Sequence, residues 1–134
     1  MPLHHQHASI AAWSDEAHVV ANRAQYLAKF DAVLDILAPV MDVQRPEAGF
    51  YLWPKLDVPG EVFCQGLYRE QAVTVLPGAY IGRVGSAGNP GEHRVRMALV
   101  ATLEDCIAAA ERIRHYIEGQ TERGCRDDAE AGTS

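Results

Sequence analysis

At 134 residues, 48% hydrophobic and 22% charged, the chain has the size and composition of one globular domain with its own core. Its net charge of −6 argues against nucleic acid or an anionic membrane as a partner. No apolar run approaches the roughly 20 residues that span a bilayer, and the opening "MPLHHQHASI" lacks the basic start and apolar stretch of a secretory signal.

In chain order, residues 2–13 predict at most a short helix, its apolar residues Leu3, Ile10 and Trp13 being sparse. "WSDEAHVVANRAQYLAKFDAVLDILAP" predicts a long one. Ser14 stands where a cap belongs, and Asp15 and Glu16 suit the positive end of the helix dipole. Val20, Ala24, Leu27, Phe30, Leu34 and Leu37 step by three or four into one apolar stripe, which Pro39 ends. After the turn signal "RPEAG", the aromatic run Gly49 to Trp53 is β-prone. Residues 59–71 predict a modest helix weakened by Gly66, and "AVTVLPG" a short β-branched strand stopped by Pro77 and Gly78. Residues 83–92 form a loop, and "HRVRMALV" is the last strand. Thr102 with Asp105 resembles a capping box. It opens a helix with the stripe Leu103, Ile107, Ala110, Ile113 and Ile117, ended by Gly119. Residues 119–134 carry no apolar pattern and are expected to be a disordered tail. This order predicts an α/β (α+β) fold in two layers: a short, mostly antiparallel sheet with helices on one side, behind a long N-terminal helix.

Few residues carry chemistry. His4, His5 and His7 in "HHQH" have no carboxylate or cysteine at ligand spacing, so they read as a solvated helix start and not as a metal site. The serines and histidines form no nucleophile motif. The glycines of "GRVGSAGNPG" lack the spacing of a phosphate-binding loop. Cys64, Cys106 and Cys125 are odd in number and widely spaced, as expected of reduced thiols in a cytoplasmic protein. Arg94 and Arg96 remain. One residue apart on a strand, they share a face, with Val95, Met97 and Leu99 on the other. Two guanidinium groups on one face mark either an anion site or a paired surface edge, and the residue pattern leaves both open.

Three segments in order, "RPEAGFYLWPKL", "QAVTVLPGAYIGR" and "GNPGEHRVRMALVATLEDCIAAAERI", resemble the C-terminal small domain of class I and II, fold-type I, pyridoxal phosphate (PLP)-dependent aminotransferases. They are similar in turn to that family's glycine-aromatic strand, its "V-x-V-x-P-G" strand and turn, and its terminal "[VI]-R-[ILMF]" strand with the last helix. Together with "ASIAAWSDEAHV", the likeness is greatest to the succinyldiaminopimelate aminotransferases of bacterial lysine biosynthesis. The resemblance implies that Arg96 binds the α-carboxylate of an amino acid or keto acid substrate. It also places Gly49 and Phe50 near the substrate entrance. To Arg94 it assigns nothing; that residue pairs with an acidic side chain or meets distal carboxylates of a large substrate.

The same resemblance divides the chain into an interdomain segment (1–13), the small domain (14–118) and the tail (119–134). It implies PLP in the complete enzyme, held by a large domain that would precede Met1. A transaminase needs a lysine that forms a Schiff base with the cofactor. The two lysines, Lys29 and Lys55, lie outside the family's "S-x-S-K" context. No catalytic residue and no bound cofactor are therefore expected of this chain alone. Its expected partners are the missing large domain or a second copy of itself, as a homodimer. The alternative is a stand-alone, non-catalytic module that binds a small carboxylate or another protein.

Overall fold

The alternation in "HRVRMALV" seats the sheet. In the computed structural model, which describes the backbone of residues 2–131 and the side chains of residues 2–123, strand β3 (Val95–Ala98) buries Val95 and Met97 and turns Arg96 and Ala98 outward. β3 is the centre of a three-stranded antiparallel sheet. On one side β1 (Tyr51–Leu52) sets Tyr51 opposite Ala98 and Leu52 opposite Met97. On the other, β2 (Leu76–Pro77) sets Leu76 opposite Arg96 and Pro77 opposite Val95. Both edge strands are shorter than the apolar runs that contain them. Pro54 follows β1 and Pro77 lies within β2, and neither can donate to a ladder. A 3₁₀ turn (Gly78–Tyr80) follows β2 directly.

Helices cover the inner face. α2 (Glu16–Leu37) contributes Phe30, Val33 and Leu37. α3 (Gly60–Gln71) contributes Phe63 and Leu67. α4 (Leu103–Ala131) contributes Cys106, Ala110, Ile113 and Tyr116. These side chains close over Leu52, Val95, Met97 and Leu99 in one core, and each large side chain so buried contributes about 1.5 to 3 kcal/mol. The predicted two-layer arrangement and antiparallel sheet are therefore present. No helix among the described residues is long and apolar enough to cross a membrane.

Several local expectations are corrected. α1 (Leu3–Ser14) is a complete helix, but it buries no residue. The cap of α2 is Asp15, whose carboxylate accepts from the Ala17 N–H, while the Ser14 hydroxyl turns back and donates to the Ile10 carbonyl. The apolar stripe of α2 packs only in its second half. Val20 and Leu27 are 63% and 51% exposed, and burial begins at Lys29. In α4 the buried face is turned one step from the predicted stripe, so that Cys106 and Tyr116 are inside and Leu103 is out. Gly119 does not end that helix. Residues 119–131, expected to be unstructured, continue it. One interior glycine costs only about 1 kcal/mol, and the next turn is tied down: the Thr121 hydroxyl donates to the Ile117 carbonyl, and Arg123 reaches Glu70 of α3 at 2.7 Å. Residues 132–134 of the expected tail lie outside the described residues.

The Thr102 cap forms as predicted. The Asp105 N–H donates to the Thr102 hydroxyl at 3.2 Å, and that hydroxyl donates to the Asp105 carboxylate at 2.7 Å.

Candidate functional site

Strand alternation and register assemble the outer face of the sheet. Arg94, Arg96 and Ala98 point outward from the β3 segment, and the pairing of Tyr51 with Ala98 sets the Tyr51 ring beside Arg96. The two arginines are held differently. Arg94 donates from Nη1 to the Trp53 carbonyl at 2.9 Å, which ties β3 to the end of β1. Arg96 is half-buried, and its Cζ lies over the Tyr51 ring, 4.6 Å from the centroid. Among the described residues its side chain makes no hydrogen bond or ion pair. Its N–H fork is thus unpaired on an open face, the arrangement that an incoming carboxylate satisfies bidentately.

The two remaining predicted site residues stand just before Tyr51. Gly49 ends the "RPEAG" turn at φ +89°, a conformation that side chains rarely adopt, with open space where a Cβ would point. Phe50 extends the β1–β3 pairing, its carbonyl accepting from the Leu99 N–H at 2.9 Å. Its ring packs on Tyr51 (centroids 4.2 Å apart) and stacks with Tyr26 of α2 (5.8 Å). Phe50 therefore stands behind Tyr51 and reaches Arg96 through it.

Tyr51, Trp53 and Tyr26 join the residues expected from the sequence. The signal for the first two was available: in "FYLW" a period of two puts Tyr51 and Trp53 on one face, and "RVR" supplies the cations. Tyr26 depends on a tertiary contact from α2 and carried no sequence signal. Beside Arg94 lies a cleft of about 430 Å³, lined also by Asp42, Gln44, Glu47, Tyr51 and Trp53. A separate groove of about 480 Å³, bordered by Lys55, Val58, Val62, Tyr116 and Thr121, includes neither arginine.

The described residues do not fit PLP. Lys29 is buried, its Nζ committed to the Leu99 carbonyl at 3.2 Å and standing 5.0 Å from the Tyr26 centroid. Lys55 is exposed and borders the groove without arginines. Neither amine is presented to the Arg96 face as a Schiff-base lysine would have to be. Nor do three or more histidine, cysteine, aspartate or glutamate side chains gather as a metal site among the described residues. The outer face, as built, can bind an anion.

No protein-family model matches the chain. Two curated relatives are similar in sequence, each 32% identical. Aspartate aminotransferase of Pyrococcus horikoshii matches over 85 residues, 61% of this chain and 20% of its own length. The 4-dedimethylamino-4-oxo-anhydrotetracycline transaminase of Streptomyces rimosus matches over 114 residues, 84% of this chain and 30% of its own. The chain thus spans 20% to 30% of the length of the curated relatives it matches. In structure, an aminotransferase from Neisseria meningitidis superposes with a TM-score of 0.78 at 49% identity, over 81% of this chain and 28% of that one. A probable N-succinyldiaminopimelate aminotransferase from Thermus thermophilus superposes with a TM-score of 0.56 at 32% identity, over 69% and 24%. The chain's relatives in both sequence and fold are fold-type I aminotransferases, and it corresponds to one part of them.

Proposed function

We propose that this chain is the C-terminal, substrate-clamping part of a PLP-dependent aminotransferase, and that Arg96 binds the α-carboxylate of the amino acid or keto acid. The observation that carries the reading is the half-buried, unpaired guanidinium of Arg96 beside an Arg94 already committed to Trp53. Charge-assisted hydrogen bonds of this kind contribute about 1.5 to 3 kcal/mol each. Arg94 braces the strands and is not needed for the carboxylate. PLP and the Schiff-base lysine belong to the large domain of such an enzyme, and the buried amine of Lys29 supports a binding role, without catalysis, for this chain by itself. Succinyldiaminopimelate is the substrate implied by the resemblance that "ASIAAWSDEAHV" adds to the three motifs. The Thermus relative at 32% identity supports it.

The test is direct binding. The Arg96 Nε–Hε resonance of the labelled chain is followed during titration with L-glutamate and with 2-oxoglutarate. A saturable shift in the millimolar range is expected. Arg96→Lys, which keeps the charge and loses the fork, weakens binding about tenfold, and Arg94→Lys changes it less than about twofold. Greater loss with Arg94→Lys overturns the assignment. For the substrate, the chain is fused behind an aminotransferase large domain. A higher kcat/KM for N-succinyl-diaminopimelate than for aspartate supports that choice, and the reverse refutes it.

A further inference from the structure

The contact between Arg96 and Tyr51 does more than fill space. A guanidinium group has two usable surfaces. Its flat face is attracted to an aromatic ring, and its edge carries the N–H donors that grip a carboxylate. On this sheet the guanidinium carbon of Arg96 stands over the Tyr51 ring, 4.6 Å from its centroid, and the side chain makes no hydrogen bond or ion pair among the described residues. The ring therefore holds the cation without consuming a donor. A carbonyl or carboxylate in the same place would hold it by occupying the edge, as the Trp53 carbonyl does for Arg94.

Tyr51 is itself fixed. It is paired with Ala98 across the β1–β3 ladder. Its ring packs on Phe50, which stacks on Tyr26, and the Tyr26 ring lies against the buried amine of Lys29. Lys29 in turn donates to the carbonyl of Leu99, three residues beyond Arg96 on the same segment. The contacts close a circuit from β3 through α2 and back to Arg96, with a cation at each end and three rings between. The free arginine is thus connected to the core through Tyr51, although the arginine itself stands on the open face.

We infer that Tyr51 is a positioning residue: it holds the Arg96 guanidinium flat against its ring so that the N–H edge is presented to an incoming carboxylate. The inference rests on the carboxylate reading of Arg96 for its purpose, but the holding itself is measurable without any ligand. The contact uses the π face of the ring, so the phenol hydroxyl is dispensable.

The experiment uses the whole 134-residue chain, labelled with ¹³C,¹⁵N-arginine. Three forms are compared: wild type, Tyr51→Phe and Tyr51→Leu. Because Tyr51 is 37% exposed, neither substitution opens a sealed cavity; matching backbone amide spectra check that each variant is folded. Without ligand, the Arg96 side-chain protons show a ring-current shift and a restrained Nε–Hε group in wild type and Tyr51→Phe, and Tyr51→Leu abolishes both. With L-glutamate as probe, Tyr51→Leu binds about three- to tenfold more weakly, and Tyr51→Phe binds within about twofold of wild type.

An Arg96 resonance as mobile and unshifted in wild type as in Tyr51→Leu overturns the inference. So does a loss of restraint in Tyr51→Phe equal to that in Tyr51→Leu, which would mean that the hydroxyl and not the ring does the holding. If the ring-current shift and restraint behave as expected but glutamate moves nothing in wild type, the positioning stands and the carboxylate reading fails. If glutamate binds equally to all three forms, the carboxylate reading stands and the positioning role is refuted.

Discussion

Ala72 closes α3 with φ 54° and ψ 33°, a left-handed conformation that helix ends usually give to glycine. Its N–H donates to the Tyr68 carbonyl, so the geometry serves the helix end although the residue does not suit it. An L side chain there costs about 1 to 2 kcal/mol, while glycine returns about 0.4 to 1 kcal/mol through the greater freedom of its unfolded chain. Ala72→Gly is therefore expected to stabilise the chain by about 0.5 to 1 kcal/mol, and Ala72→Val to destabilise it by at least as much. Urea unfolding measures both, and a lower midpoint for Ala72→Gly would show that the strain is absent. This feature was not visible in the sequence, where Ala72 begins the run "AVTVLPG" and reads as strand. Gly66 is the opposite case. It read only as a weakness in a helix, yet a Cβ at that position would run into the Tyr116 hydroxyl, so the glycine makes room for α4. Single-residue backbone states and close approaches depend on what folds against them, and nothing local announces them.

Elements were legible where one periodicity met one strong punctuation signal. The alternation of "HRVRMALV" fixed the inward set Val95, Met97 and Leu99 and the outward pair of arginines, all as found. The box at Thr102 was readable because both partners lie within four residues. The rest failed where distance or geometry decided. Tyr51 became part of the site through register with β3, and Tyr26 through packing of a helix onto Phe50. The run-on of α4 past Gly119 brings Arg123 to Glu70, a contact between residues 53 apart in the chain that no local pattern announces. The box itself is open to measurement. Thr102→Ala removes the acceptor for the Asp105 N–H and the donor to its carboxylate. A loss of about 1 kcal/mol follows, near 4 °C in melting temperature for a chain of this size, and Thr102→Ser is expected to restore most of it. A melting temperature unchanged by Thr102→Ala would mean that the start of α4 is held by its packing alone.

For the molecule as a whole, the core is separate in its energetics from α1 and the first half of α2. Among the described residues, all fifteen hydrophobic residues of the buried core lie between Phe30 and Tyr116. α1 buries none of its twelve residues, and Leu3, Ile10 and Trp13 are 70%, 63% and 85% exposed. Val20 and Leu27 carry that apolar exposure along the first half of α2. Burying a large side chain is worth about 1.5 to 3 kcal/mol, so several of them left in water favour association with another surface. With only this chain in solution, that surface is a second copy. The net charge of −6 restrains growth beyond a closed pair. Two consequences can be separated by one deletion. Light scattering of the full chain at high micromolar concentration is expected to give a mass well above 14.7 kDa, falling toward it on dilution. Removal of residues 1–14 is expected to leave a monomer whose melting temperature lies within about 2 °C of the full chain measured dilute, since no core contact is lost. A full chain that stays at the monomer mass throughout shows that these side chains are covered in solution. A truncated chain that melts far lower shows instead that α1 supports the fold, and the division between α1 and the core then falls.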